Sequence, residues 1–366
     1  METTKRGRYD GSLGFGHSFE NNACGSRLLA GVHALLLFWL FAAAAVARPA
    51  VQGVVAIGMT VADMERSLSF YTSVLPFEKV ADQEIRGDAF EHLQGVFPAL
   101  ARVVRLRLGT EEIVLTDYLT PEGRPIPPDM ASNDLSFQHI AMIVSDMDRA
   151  YALLREHGVR HVSAGPQRLP DWNPNAAGIR AFYFRDPDGH VLEILWFPPG
   201  KGEQRWQSRD ALFLGIDHTA IGVADTEASL EFYGEALGLD VAGTSENFGI
   251  EQERLNAVFG ARLRITTLRA AAGPGIEFLQ YLAPGPGRAY PEDARANDLV
   301  HWQTTLVVED LEIVEGTLRR NGTRFVSPGV VDTSAAGLGF KAALLVRDPD
   351  GHAILLVEPE GSRSSR

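Results

Sequence analysis

The hydrophobic and polar positions of this chain repeat one pattern four times. In each copy a short apolar, strand-like run leads to an aspartate, and an amphipathic helical pattern follows it. About three further strand-like runs follow each helix. An aspartate at the start of a helix caps free backbone amides, which is sufficient reason for its position. The four capping residues are Asp63, Asp146, Asp225 and Asp310.

The repeat predicts an α+β fold made of four β-α-β-β-β modules, with helices on one face of mixed, largely antiparallel sheets. We expect two domains joined by a polar Pro/Gly linker. The predicted bounds are module 1 at 51–120 and module 2 at 134–198 (domain 51–198), linker 199–212, module 3 at 213–283 and module 4 at 298–359 (domain 213–359), and a frayed tail at 360–366.

A turn motif marks the last strand of modules 2 and 4. Arg-Asp-Pro-Asp-Gly-His begins at Arg185 and again at Arg347, and both copies predict a hairpin turn that leads into a buried strand. Glu193 interrupts the first of these apolar strands, whereas Leu355 holds the same register in the second. A buried carboxylate costs several kcal/mol unless it is compensated. We therefore assign Glu193 a chemical role, and we expect the histidines of the two turns, His190 and His352, to be solvated.

The N-terminal region predicts export. Residues 28–47 are apolar throughout, follow Arg27 and end in Ala-Val-Ala, as a cleaved secretory signal does. The alternative is an uncleaved membrane anchor, because about 20 apolar residues can span a bilayer. We expect a periplasmic or extracellular protein that is cleaved near Ala47.

Charge and cysteine content narrow the possible partners. Residues 1–47 carry a net charge of +1, so the remainder is near −14 against −13 for the whole chain, which argues against nucleic acid and anionic membranes as partners. The single cysteine, Cys24, lies in the leader, so the mature chain has no disulfide or thiolate ligand. A small-molecule substrate is compatible with this net charge and with a mature chain that lacks cysteine.

The chain resembles the vicinal oxygen chelate superfamily in three sequence features. They are the V-x-D motif at the start of each module, S-L-x-F-Y motifs in helices that follow it, and the R-D-P-D-G-H hairpin before a strand that carries a glutamate. That superfamily includes glyoxalase I, extradiol dioxygenases, methylmalonyl-CoA epimerase and fosfomycin- or bleomycin-resistance proteins. The resemblance covers nearly all of 51–359 and implies open clefts that can hold a metal. Because two such domains mimic a dimer, a monomer is compatible with it.

The resemblance also implies where metal ligands lie, namely one on the first and one on the last strand of each module. Modules 2 and 3 carry a histidine and a glutamate at these positions, whereas modules 1 and 4 carry neither. Fused glyoxalase I-like proteins build one cleft from modules 2 and 3 (the 2/3 cleft) and another from modules 1 and 4 (the 1/4 cleft). The 2/3 positions are His139, Glu193, His218 and Glu277, and the 1/4 positions are Ala56, Val114, Gln303 and Leu355.

On this pairing the 2/3 cleft holds one divalent ion and the 1/4 cleft holds none. Two neutral imidazoles and two carboxylates neutralise a divalent cation and suit Zn, Ni, Co, Fe or Mn. The polar segment 169–180 precedes the strand of Glu193, either as a plain surface loop or as a cover on which Trp172 and Arg180 contact substrate.

Three functions remain open. The first is a glyoxalase I-like lyase or isomerase that acts through an enediolate, with Glu193 or Glu277 moving the proton. Glyoxalase I itself uses a mainly cytosolic thiol, which fits poorly with export. The second is an extradiol-type dioxygenase, although the extra glutamate departs from its two-histidine, one-carboxylate site. The third is a non-catalytic binding or resistance protein, which would not need the ion.

Overall fold

Two nine-stranded sheets form the framework of the computed structural model, which describes residues 51–361. The predicted signal or anchor at 28–47 and residues 362–366 of the predicted tail lie outside the described residues. Within the described range, no helix combines the length and apolar character needed to cross a bilayer.

The first two modules contain the predicted elements, with an additional helix in module 1, and each first helix begins at its predicted aspartate. Asp63 accepts a hydrogen bond from the amide of Arg66, and Asp146 accepts one from the amide of Arg149. Module 1 contains β1 (Val51–Val61), α1 (Met64–Ser69, continued by π-helical turns at Phe70–Val74), β2 (Glu78–Arg86), α2 (Asp88–Gln94), β3 (Leu100–Leu108) and β4 (Glu111–Thr120). Module 2 contains β5 (Gln138–Val144), α3 (Met147–Glu156), β6 (Arg160–His161), β7 (Gln167–Arg168), β8 (Arg180–Arg185) and β9 (Val191–Trp196).

The last two modules repeat this arrangement, with Asp225 and Asp310 as helix caps. A 3-10 turn at Gln204–Gln207 lies in the connection before module 3. Module 3 contains β10 (Phe213–Gly222), α4 (Thr226–Leu230, continued by π-helical turns at Glu231–Ala236), β11 (Asp240–Phe248), α5 (Ile250–Asn256), β12 (Arg262–Arg269) and β13 (Gly275–Ala283). Module 4 contains β14 (Trp302–Val308), α6 (Leu311–Arg320), β15 (Arg324–Phe325), β16 (Val331–Asp332), β17 (Phe340–Arg347) and β18 (Ala353–Pro359).

Each sheet combines two modules from different halves of the sequence. One has the order β11-β12-β13-β10-β5-β9-β8-β6, with β7 paired to β8, and joins modules 3 and 2 through antiparallel β10 and β5. The other has the order β15-β17-β18-β14-β1-β4-β3-β2, with β16 paired to β17, and joins modules 4 and 1 through β14 and β1. The predicted cross-domain pairing and the α+β class are therefore confirmed.

Modules that follow one another in sequence share a hydrophobic core instead of a sheet. One core contains buried residues of modules 1 and 2, such as Ile57, Leu68, Met142 and Leu154. A second core joins modules 3 and 4 in the same way. Burial of apolar surface stabilises each such contact by about 25 cal/mol per Å². Packing thus fixes the position of the two sheets relative to each other.

The histidines of the two Asp-Pro-Asp-Gly-His turns are buried, which corrects the expectation that they are solvated. His190 is fully buried, and its Nδ1 lies 2.8 Å from Asp186 Oδ2. Its Nε2 lies 2.9 Å from the carbonyl oxygen of Leu299, so both ring nitrogens face acceptors. Burial alone would lower the pKa of His190, but the Asp186 carboxylate raises it. The motif is a structural lock, and His352 repeats its contact between histidine Nδ1 and the first aspartate, Asp348.

The lock also connects modules 1 and 2. Asp186 accepts hydrogen bonds from the backbone amides of residues 188–190 and from the hydroxyl of Tyr71 in module 1, 3.1 Å away. In the second half, Tyr233 donates to Asp348 at 3.0 Å. The tyrosine of S-L-x-F-Y and the first aspartate of R-D-P-D-G-H are therefore partners.

Replacing Asp186 with alanine is expected to lower the free energy of unfolding by about 3 to 5 kcal/mol, because it breaks a buried pair and leaves His190, the Tyr71 hydroxyl and the turn amides without their acceptor. Denaturant unfolding would measure the loss. Asp148→Ala removes an ion pair with Arg180 whose aspartate is 77% exposed, and it should cost at most about 1 kcal/mol. Equal losses in the two variants would contradict the structural lock.

Candidate metal centre

Strand register places the four predicted ligands on one concave face of the sheet that modules 2 and 3 share. On the adjoining strands β5 and β10, His139 stands opposite Ala220, and His218 stands opposite Ala141. The parallel neighbours β9 and β13 then align Glu193 with Ala141 and Glu277 with Ala220. Because side chains alternate across a strand, each glutamate points to the same side as the histidine of its module.

Polar atoms of His139, Glu193 and His218 lie within 4.8 Å of one another, and Glu277 adjoins this group at His218. His139 Nε2 lies 3.1 Å from Glu193 Oε2, and His218 Nε2 lies 3.7 Å from the same oxygen. His218 Nε2 is also 3.3 Å from Glu277 Oε2. Ligands that each lie about 2.0 to 2.2 Å from one ion are separated by about 3 to 3.5 Å, so these spacings fit a shared cation.

Burial supports the same interpretation. The side chains of His139, His218 and Glu193 are 1%, 5% and 5% exposed, whereas that of Glu277 is 19% exposed. Neither ring nitrogen of His139 has a hydrogen-bond partner among the described residues, although both are buried. A buried imidazole that makes no hydrogen bond, with the Glu193 carboxylate beside it, fits a ligand whose cation would satisfy its free nitrogen. The residues present therefore fit a divalent ion.

Asp217 orients His218, and the sequence reasoning missed it. Its carboxylate lies 2.9 Å from His218 Nδ1 and accepts hydrogen bonds from Trp206 and Arg269, each at 2.9 Å. This contact leaves Nε2 of His218 facing the glutamates, the arrangement that metal-binding histidines require. Burial alone would lower the pKa of His218, but Glu277, Asp217 and Glu193 raise it to about 9. A cation that binds there has to displace a proton.

A β-bulge explains why alternation did not predict Asp217. Between Ile216 and His218 the register with β5 shifts, so Asp217 is the extra residue of β10. The sequence signal that could have identified Asp217 was its position directly before His218. In the other sheet, β1 has the same register shift, and the extra residue there is Val55.

Replacing Asp217 with asparagine is expected to weaken metal binding about 10- to 100-fold, because the new amide cannot accept all three hydrogen bonds. Competition with a chelator would measure the change. Trp206→Phe removes one donor to Asp217 but leaves its contact with His218, and it serves as the matched control. A similar loss in both variants would mean that Asp217 supports packing instead of the imidazole.

The four predicted positions of the 1/4 cleft also converge. All of them line one cavity of about 280 Å³ between β1, β4, β14 and β18. The polar exception, Gln303, has Oε1 3.3 Å from His301 Nε2, and burial lowers the pKa of His301 to about 3. At its four aligned positions this cleft offers one amide, whereas the 2/3 cleft offers two imidazoles and two carboxylates at the matching positions.

The segment 169–180 borders the 2/3 cleft and is tied to module 3. Asn173 donates to Asn247 at 2.6 Å, and Asn175 donates to the carbonyl oxygen of Thr244 at 2.7 Å. Trp172 stacks on Phe248 with ring centroids 4.3 Å apart. Arg180 pairs with Asp148. Neither Trp172 nor Arg180 is among the residues that line the cleft, so substrate contact by these two stays a prediction.

A second acidic group does not have the properties of a metal site. Asp186, Asp188 and His190 lie close together, but their polar atoms are already used. Asp186 binds the turn amides, Tyr71 and His190, while Asp188 pairs with Arg66. This group is the structural lock.

Three comparisons relate the chain to known proteins. The family model "Glyoxalase/Bleomycin resistance protein/Dioxygenase superfamily" matches residues 53–194 and 215–356. The 2-epi-5-epi-valiolone epimerase of Actinomyces sp is 34% identical over 149 residues, covering 39% of this chain and 79% of that protein.

Solved structures share the fold. Glyoxalase I from Zea mays is 16% identical, with a TM-score of 0.57, over 84% of this chain and 92% of that chain. A putative dioxygenase from Bacillus subtilis is 13% identical, with a TM-score of 0.53, over 86% and 87%. At these identities the likeness concerns the fold alone.

Proposed function

Because this chain belongs to the glyoxalase/bleomycin resistance protein/dioxygenase superfamily, we propose that it is a metal-dependent isomerase that moves a proton on a carbon next to a carbonyl group. The observation that supports the proposal is the grouping of His139, Glu193 and His218 in the 2/3 cleft, with Glu277 beside His218. Its cavity of about 580 Å³ is large enough for a small molecule.

The candidate ligands and Asp217 have different roles because their surroundings differ. A divalent ion held by the two histidines and two glutamates would supply Lewis-acid stabilisation of negative charge on substrate oxygens. Asp217 fixes the ring of His218, and Glu193 lies buried against both imidazoles. Glu277 is the most exposed of the four, and its Oε1 accepts a hydrogen bond from Thr267 at 2.7 Å. Glu277 is therefore the carboxylate best placed to exchange a proton with a substrate.

The relatives favour epimerisation over the other reactions. The curated relative at 34% identity is named as an epimerase, and epimerisation at such a carbon needs a carboxylate that removes the proton and a donor that returns one to the opposite face. A glyoxalase I-like reaction is the second candidate, since it uses the same proton transfer. An extradiol-type dioxygenase is less well supported, because its iron site has two histidines and one carboxylate, whereas this cleft holds two glutamates.

Solvent exchange tests the proposal. Protein loaded with Zn, Ni, Co, Fe or Mn would be incubated in D₂O with 2-epi-5-epi-valiolone, the compound in the relative's name. We expect deuterium at one carbon and formation of the epimer, and neither with chelated protein. A glyoxalase I-like reaction would instead depend on added glutathione. Absence of exchange with every metal, for this ketone and for other 2-hydroxy ketones, would contradict a proton-transfer function.

A further inference from the structure

Glu111 is a buried carboxylate in module 1 that contacts the strand of His218. It is the first residue of β4, and its side chain is 4% exposed. Its Oε2 accepts a hydrogen bond from the amide of Ile216 on β10 at 3.0 Å. Its Oε1 accepts hydrogen bonds from Arg205 at 2.5 Å and from the hydroxyl of Thr110 at 2.7 Å. Both oxygens are therefore engaged, and one of them holds backbone next to the candidate metal centre.

The amide that Glu111 holds lies at the β-bulge of β10. Ile216 comes directly before Asp217, the extra residue of that bulge, and the register with β5 shifts between Ile216 and His218. A bulge interrupts the regular ladder of hydrogen bonds, so an acceptor from outside the sheet can fix its backbone. Asp217 is 6% exposed, and its carboxylate lies against His218 Nδ1. The contact of Glu111 is therefore one residue away from the carboxylate that orients His218.

A glycine leaves room for this contact. A Cβ atom at Gly215 would lie 2.4 Å from Glu111 Oε2 and 3.0 Å from the ring of Trp206. A carbon atom does not approach an oxygen to 2.4 Å without a bond, so a side chain at position 215 would displace the carboxylate from the Ile216 amide. The glycine and the carboxylate therefore belong to one arrangement.

The sheet of modules 1 and 4 shows that the fold can satisfy the same amide without a buried charge. On β1, residues 53–55 occupy the same register shifts as residues 215–217 on β10. There the amide of Val54 donates to a backbone carbonyl, that of Ala272, at 3.0 Å. The bulge residue is Val55, which is 45% exposed and is followed by an alanine. A neutral carbonyl is enough at that bulge, so the carboxylate is specific to the sheet that contains the candidate metal centre.

Arg205 supplies a counter-charge for Glu111 and connects it to a second contact of Asp217. The guanidinium of Arg205 lies 3.8 Å from the centre of the indole ring of Trp206, whose Nε1 donates to Asp217. A hydrogen bond from a backbone amide to an ionised carboxylate is stronger than one to a neutral acceptor. The linker and β4 therefore enclose the bulge from outside the sheet, and Glu111 is its charged acceptor.

We infer that Glu111 is a positioning residue for the candidate metal centre, because it fixes the bulge of β10 and so holds Asp217 in place to orient His218. This inference rests on the metal binding in the proposed function and is independent of the reaction that the metal supports. Glu111 is not among the residues that line the 2/3 cleft, so it acts through the backbone of Ile216. A residue of module 1 thus contributes to the cleft of modules 2 and 3.

Chelator competition with zinc tests the inference on the full chain. Glu111→Leu removes both acceptors at similar size, and we expect a zinc affinity about tenfold lower, the smaller end of the range for groups that orient a ligand. Glu111→Gln keeps an acceptor for the Ile216 amide and should stay within about threefold of wild type, because it loses only the charge. In protein that already carries Asp217→Asn, Glu111→Leu should change zinc affinity less than about twofold, because it acts through Asp217.

Gly215→Ala is a second perturbation, because it keeps Glu111 and places a methyl group against its Oε2. It should lower zinc affinity as Glu111→Leu does, and it carries the test if Glu111→Leu does not fold. Gly53→Ala is the matched control at the same position of β1, and it should leave zinc affinity unchanged.

A purely structural role would give a different result. Glu111→Leu would then unfold at a lower temperature while its folded form binds zinc as wild type does, and this outcome would overturn the inference. An equal loss of zinc affinity with and without Asp217→Asn would overturn it as well, because Glu111 would then act by another route. If the expected losses are found but no ketone exchanges deuterium, the proposed reaction fails while the positioning role of Glu111 stands.

Discussion

Protein carrying His139→Ala is expected to lose its divalent ion as completely as protein carrying His218→Ala, although the two histidines lie in different halves of the sequence. Strands β5 and β10 bring them together, with ring centroids 5.7 Å apart and Glu193 within 3.7 Å of both Nε2 atoms. Changing residues that only orient a ligand costs about 10- to 100-fold in metal affinity. Loss of a ligand itself should therefore exceed 100-fold in either variant.

Elemental analysis after chelation, reloading and gel filtration would measure the effect. Wild type should retain one ion per chain, and each histidine variant should retain close to none. Gln303→Ala is the matched control, because Gln303 pairs with Gly58 across β14 and β1 as His139 pairs with Ala220 across β5 and β10. It should retain one ion. Two ions in wild type, or a full ion in either histidine variant, would contradict a single centre shared by modules 2 and 3.

The sequence allowed the architecture to be predicted because its repeats carry local physical signals. Each capping aspartate starts its helix in the structure, and the V-x-D spacing identified the first strand of each module. The pairing of modules followed from the distribution of ligands, since neither sequence domain alone holds two histidines at the predicted ligand positions. The antiparallel contacts of β5 with β10 and of β1 with β14 confirm it.

Features that depend on tertiary contacts were not predictable in this way. The charged turn motif suggested solvent, but Tyr71 and the carbonyl of Leu299 bury His190 from distant parts of the chain. Helices α2 and α5 were missing from the β-α-β-β-β prediction because each has only seven residues. A short helix has too few turns for its periodicity to be distinctive.

Sequence also left open which glutamate exchanges the proton, and the structure separates the two. Glu193 is 5% exposed and lies near both imidazoles, so its movement would disturb two ligands. Glu277 is 19% exposed, contacts one imidazole, and has its other oxygen held by Thr267. Glu277 can therefore turn toward a bound substrate while His139, His218 and Glu193 still hold the ion.

Replacing Glu277 with glutamine is expected to lower turnover about 10²- to 10⁴-fold, the usual contribution of a general base, while the ion is retained at saturating metal. Glu193→Gln should lower metal content and turnover together. Parallel measurement of deuterium exchange and bound metal distinguishes the two roles. Thr267→Val removes the hydroxyl that holds Glu277 and should have an effect of about tenfold or less, because it removes one hydrogen bond. Full exchange by Glu277→Gln, together with loss of exchange by metal-loaded Glu193→Gln, would reverse the assignment and make the buried glutamate the base.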